Sequence, residues 1–303
     1  MTIDRLFTSD VLERLAGLER PLAAINGRDI AERHRILTSR GPAGTANERA
    51  ILDTWSNYVA VGERCGLLDA DVVARLTGDN DNDFRSGLSE CAAAWFLSDQ
   101  LGVEVRPRPD PPTGRGVDLL AVRDQGEVYV EVKAPYVERP PRHWAGDDAD
   151  RLVHCIREAA DQFRPDRANL VFLVPILRAE VFLDRGQLLK AAIGEPVWVV
   201  PVALDDSPAS PSHIDFRQNG RLARLHHNRQ DGSFFTQHTR VSAVISLEHR
   251  WRYRDERDEL THSVVVVHNP FATVPIEPAF FGDAPQWVRT GDTMGWNDDY
   301  QGP

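Results

Sequence analysis

The sequence predicts an α/β fold: a mixed sheet covered on both faces, with a helical segment before it and added strands after it. Three observations carry this reading. Residues 1–80 hold apolar side chains at helical spacing. Residues 81–204 alternate apolar, strand-like runs with helical stretches. Residues 205–303 contain further strand-like runs and an irregular end rich in Pro and aromatics. The chain accordingly divides into a helical N-terminal segment (1–80), a central core (81–204) and a C-terminal extension (205–303), with ample length to bury a core.

In the first segment, ERAILDTWSNYVAVGERCGLL places Ile51, Trp55, Val59 and Val61 near one helical face, with Gly66 as a stop. It carries no catalytic pattern and reads as a helical cap on the core. Asp83 precedes a helix, FRSGLSECAAAWFLSDQLG, and a strand, VEVRPRP, follows. VDLLAV and EVYVEVK then form a hairpin around a tight turn at Asp124–Gly126. The segment ADRLVHCIREAADQF aligns Leu152, Ile156, Ala159, Ala160 and Phe163 on one face before Pro165 ends the helix. The apolar strands NLVFLVPIL and VWVVPV flank a helical LLKAAIG. Uninterrupted apolar runs separated by helices indicate strands buried on both faces. DDSPASPS is a loop, and VSAVISL and SVVVVHN are further strands.

Composition narrows the function classes. Cys65, Cys91 and Cys155 are too few and too scattered for a disulfide framework and are expected to be reduced thiols in a cytoplasmic protein. The first residues lack the basic start and long apolar core of a signal peptide, and no apolar run reaches the roughly 18 residues a membrane helix needs. A formal charge of −11 counts against simple nucleic-acid binding, which draws on Lys and Arg. Local basic patches and a bound cation can reverse the field at a cleft.

The chemistry concentrates in the hairpin. Tyr129, Glu131 and Lys133 share one face of a strand whose other face is Val128, Val130 and Val132. With the turn centred between Asp124 and Gln125, Leu120 lies opposite Tyr129 and Asp118 opposite Glu131. A register one residue away would put the two carboxylates on opposite faces. Two carboxylates about 5 Å apart repel by roughly 3 kcal/mol at an effective dielectric of 20, and a hard divalent cation offsets that directly. Glu90 sits in LSECAAAWFL, apolar around most of its circumference, where a buried charge is costly without a partner. A local cap or salt bridge is the alternative reading of that residue.

A Glu on a helix (Glu90), a Gly-rich loop ending in Asp118, and a strand carrying Glu131-Val132-Lys133 resemble the PD-(D/E)xK, or restriction-endonuclease-like, nuclease superfamily. The order helix, three strands, helix, strand over residues 84–176 matches that family's αβββαβ core and covers under half the chain. The resemblance implies Mg²⁺ or Mn²⁺ held by Asp118, Glu131 and Glu90. Lys133 would orient or help deprotonate the attacking water and stabilise charge on the phosphate. Gln162, in the following helix, falls where many members carry a polar active-site residue. The Pro that usually precedes the Asp is Val117 here. The activity implied is cleavage of nucleic acid, DNA first, and cutting both strands would call for a homodimer. The alternatives are a catalytically inactive structural or binding module of the same fold and a metal-dependent hydrolase of small phosphates, which the acidity suits.

Other features read as bland. Adjacent His226 and His227 before Asn228 point to opposite sides of a strand, with no further ligand at metal spacing. His268–Asn269–Pro270 is a strand end entering a loop. Arg106, Arg108 and Arg115, and Arg139 and Arg142, flank the site in sequence and could contact phosphates; Arg221, Arg224 and Arg229 form a third cluster. Trp144 could stack on a base, though packing is the simpler role.

Overall fold

The computed structural model describes residues 3–22, 28–42, 44–107, 116–123, 126–135, 148–176, 185–193, 195–199, 213–217, 238–254, 257–290 and 293–297. The N-terminal segment is helical: α1 (Ile3–Leu6), α2 (Ser9–Leu22), α3 (Arg28–Leu37), α4 (Ala46–Arg64) and α5 (Ala70–Thr77). Local chemistry sets the boundaries. Thr45 caps α4 in a capping box with Glu48, and Gly66, at φ +75°, turns the chain just beyond it. Asp69 caps α5 by accepting from the Val72 N–H.

Helix α6 (Asp81–Trp95) begins three residues earlier than the sequence suggests, because Asn80, whose side chain accepts from the Asn82 N–H, is the cap. A π-helical turn, Phe96–Gln100, continues it. Nearly every side chain from Phe84 to Ala94 is buried, as the apolar circumference predicts. Its contact with α4 is close: a Cβ added to Gly62 would lie 2.7 Å from the Cys91 Sγ.

Three strands follow, β1 (Glu104–Pro107), β2 (Leu119–Arg123) and β3 (Gly126–Lys133), then α7 (Asp148–Ala160), β4 (Ala168–Leu173) and α8 (Arg185–Ala192). Next come β5 (Glu195–Val199), β6 (His213–Arg217), the long hairpin β7 (Ala243–Arg254) and β8 (Arg257–His268), a 3-10 turn at Pro278–Phe281, and β9 (Gln286–Thr290) with β10 (Thr293–Trp296). Among the described residues the chain is α/β, with an eight-stranded mixed sheet ordered β1-β2-β3-β4-β7-β8-β9-β10. β1, β2 and β3 form an antiparallel meander, and β3, β4 and β7 run parallel.

The two-faced burial expected of the central strands is present. Along β4, Leu170 and Phe172 join a core shared with α4 and α6, while Val171 and Leu173 join a second core beneath α7 and α8. Residues of the helical segment and of the sheet thus belong to one hydrophobic cluster. Two expectations need correction. The apolar run containing Val197–Val199 lies outside the main sheet, paired with β6 in a two-stranded ribbon. The chain end, expected to be irregular, adds β9 beside β8 and β10 beside β9. Among the described residues no helix is long and apolar enough to cross a membrane.

Candidate active site

The hairpin adopts the expected register along β2, with Leu119 paired to Val130, Leu120 to Tyr129 and Arg123 to Gly126, but the expected pairing of Asp118 with Glu131 is not among these pairs. Asp118, one residue before β2, departs from that register: its N–H donates to the Val130 carbonyl at 3.1 Å, a local bulge that also sends Val117 and Leu119 to different cores. Its Oδ2 accepts from the Val132 N–H at 2.8 Å, which fixes the carboxylate beside β3. Glu131, 2% exposed, projects from β3 toward the side covered by α7. Its Oε1 accepts from Lys133 Nζ at 2.9 Å and from Gln162 Nε2 at 2.5 Å. Gln162 lies not in α7, as expected, but in the turn just past it, where its N–H donates to the Ala159 carbonyl at 3.0 Å. The turn returns the side chain to the strand.

Glu90 arrives from α6, on the other side of the sheet. Ser89 anchors that helix to the end of β4 through its hydroxyl, which donates to the Val174 carbonyl at 2.9 Å. Glu90 is engaged by a residue the sequence reading did not single out. Arg75, on α5, grips it bidentately, Nη1 to Oε1 at 2.5 Å and Nη2 to Oε2 at 3.0 Å. Arg75 also donates to Asp71 at 3.1 Å and to Ser86 at 3.1 Å. The salt-bridge alternative for Glu90 is therefore the arrangement the side chain adopts. The available signal was indirect: a carboxylate inside an apolar helix requires a cation, and α5 is the neighbouring helix in sequence.

Arg75, Asn82, Arg85, Ser86, Glu90, Asp118, Glu131 and Lys133 line one cleft of about 240 Å³. It gathers three acids and three bases around the ends of β2 and β3. Burial pushes the Glu90 carboxyl up to about 7, Arg75 opposing and the Asp118 charge reinforcing the rise. Burial likewise pushes Asp118 up to about 7, and the facing Glu131 adds to it against the Val132 N–H and Lys133. Burial works against the charge on Lys133, but Glu131 and Asp118 outweigh it and hold the ammonium above its ordinary pKa. Arg75 is raised in the same way, with Glu90 outweighing its burial.

No protein-family model matches the chain, and searches of curated proteins and of solved structures find no similar one.

Whether this cleft suits a hard divalent cation can be judged from its donors. Asp118 and Glu131 bring carboxylate oxygens to one cleft, and the Glu131 charge raises Asp118. That pair fits. A larger ligand shell is not assembled: among the described residues, no three His, Cys, Asp or Glu side chains gather as a metal-binding group. Both Glu90 oxygens are bonded to Arg75.

The remaining candidates fall elsewhere. Arg106 pairs with Glu104 at 2.8 Å. His268 ends β8 and meets Gln286 Oε1 at 2.8 Å, while Asn269 Nδ2 donates to the Val241 carbonyl at 2.6 Å; neither residue lines the cleft. Arg108, Arg115, Arg139, Arg142, Trp144, Arg221, Arg224, His226, His227, Asn228 and Arg229 lie outside the described residues.

Proposed function

We propose that the chain is a Mg²⁺- or Mn²⁺-dependent nuclease, acting on DNA, with a PD-(D/E)xK-type site. The observation that carries this reading is the coupled Asp118–Glu131 pair in one cleft, with Lys133 and Gln162 on Glu131 and Glu90 across the cleft. The order α6, β1, β2, β3, α7, β4 supports it as an αβββαβ core.

Asp118 and Glu131 would hold the cation. When bound, it lowers the pKa of a coordinated water and neutralises charge on the scissile phosphate. Gln162 and Lys133 fix the Glu131 carboxylate from two sides, so its oxygens need little reorganisation to bind. The Val132 N–H does the same for Asp118. Lys133, kept protonated by the acids around it, serves as a charged donor toward a phosphoryl oxygen and as an orienter of water, not as a proton acceptor. Glu90 acts through Arg75: it holds the guanidinium at the cleft wall, where a phosphate can reach it.

A formal charge of −11 and the small cleft favour a second reading, a metal-dependent hydrolase of small phosphates. One experiment separates the two. Plasmid DNA, single-stranded oligonucleotide and a panel of nucleotides are each incubated with Mg²⁺ or Mn²⁺ and the wild type, Asp118→Ala or Lys133→Ala. The nuclease reading requires metal-dependent cutting of a polymer that both substitutions abolish. Hydrolysis confined to nucleotides would replace it with the second reading. Metal-independent or substitution-insensitive cutting would refute both.

A further inference from the structure

A second cluster of ligating side chains lies outside the carboxylate cleft. His249 on β7 and His262 on β8 are directly opposed in the hairpin, with ring centroids 5.1 Å apart. Both turn Nε2 toward one atom, the Tyr58 hydroxyl from α4, at 2.5 Å and 2.8 Å. Two imidazole nitrogens and one phenolic oxygen from three separate elements are therefore gathered within hydrogen-bond distance about the Tyr58 hydroxyl. Trp95 walls one side, its ring centroid 4.5 Å from that of His262. His262 also lines a separate cleft of about 460 Å³, together with Phe96, Gln100 and Arg123. The cluster thus borders that cleft through His262, while Tyr58 is fully buried.

We propose that Tyr58, His249 and His262 form a transition-metal site with two nitrogen donors and one oxygen donor, taking Zn²⁺ or Cu²⁺. Imidazole suits these ions, and three protein ligands with an open fourth position is the pattern of an accessible site. The hairpin register fixes the spacing of the two imidazoles, and the helix supplies the third ligand, so little rearrangement is needed for the donors to close on an ion. The exchange balances. The single Tyr58 hydroxyl proton can donate to only one imidazole, so the other ring donates its own Nε2 proton to the oxygen. On binding, that ring moves its proton to Nδ1, leaving both Nε2 lone pairs on the metal. Tyr58 then coordinates as phenolate and releases its proton to solvent. The site contains none of Glu90, Asp118, Glu131 or Lys133 and is independent of the nuclease reading.

The test is Zn²⁺ and Cu²⁺ titration of the full chain carrying Asp118→Asn, which disables the carboxylate pair. One equivalent of Zn²⁺ is expected to bind, and adding His262→Gln should weaken it by at least on the order of 100-fold. Cu²⁺ on the same parent should give a phenolate-to-copper charge-transfer band that Tyr58→Phe removes. The Cu²⁺ spectrum of the parent needs no change at the cluster and decides the matter even where a variant fails to fold. Equal Zn²⁺ affinity in the folded His262→Gln chain, or a parent spectrum without the phenolate band, would reduce the cluster to a hydrogen-bonded strut and overturn the proposal.

Discussion

The carboxylate cleft and the Tyr58–His249–His262 joint both carry polar groups in poorly solvated surroundings, and they manage them in opposite ways. The cleft gathers ionisable groups, setting Glu90, Asp118 and Glu131 against Arg75, Arg85 and Lys133, and burial pushes two of its acids up to about 7. The joint keeps its groups neutral: burial pushes His249 down to about 3, lowers His262 and raises Tyr58. Hydrogen bonds between neutral groups suffice to tie α4 to the β7–β8 hairpin. Opposed charges instead store electrostatic work that a cation or a phosphate can release. Without an ion the joint's neutral groups satisfy one another, and a metal there has to displace those hydrogen bonds, whereas the repelling acids of the cleft are relieved only by a ligand.

The largest expected effect lies in the cleft. Asp118→Ala should lower metal-dependent cleavage at least about 10³-fold, and Lys133→Ala on the order of 10²–10³-fold. Single-turnover rates measure both. Stability should respond to Arg75→Ala, which strands Glu90 and should cost about 3 kcal/mol in urea denaturation. Arg75→Ala with Glu90→Gln should recover most of that loss, because the uncompensated charge is gone; no recovery would mean that Glu90 is not what Arg75 neutralises. In the joint, Tyr58→Phe leaves two imidazoles without their shared partner and should cost about 1–3 kcal/mol, read in the same way.

The smallest effect, and the one that contrasts the regions most sharply, is pH dependence without metal. Glu90 and Asp118 have folded-state pKa values raised to about 7. Their contribution to stability is fully present below the unfolded-state values near 4 and is lost as pH rises through about 7. His249 is depressed from 6.5 to about 3, so its contribution is present above about 6.5 and is lost as pH falls toward 3. Lowering the pH from about 8 to about 7 should therefore raise the urea midpoint, and Asp118→Asn should flatten the rise. A midpoint that falls over this interval would mean that the cleft acids are not destabilised by their charge.

How far the sequence discloses each region depends on how locally it is encoded. The register from Leu119 to Arg123 follows from alternation and is legible, whereas the slip that pairs the Asp118 N–H with Val130 is not, since nothing in the alternation marks it. Arg75 is not, because nothing in α5 distinguishes it from other surface arginines until α6 packs beside that helix. Gln162 is found by position, but the end of α7 is not, since Asp161 and Gln162 continue an acceptable helical pattern. An apolar run identifies β5 as a strand without saying which sheet it joins. The joint is the least legible feature. Its tyrosine lies 191 and 204 residues from its two histidines, and each is unremarkable in its own segment.

Mg²⁺-dependent cleavage of a labelled DNA by the wild type, with Asp118→Ala alongside, bears most directly on the central claim. A metal-dependent nuclease would start cutting on adding Mg²⁺, stop with chelator and lose the activity in the variant. Cutting by Asp118→Ala at the wild-type rate would contradict that claim.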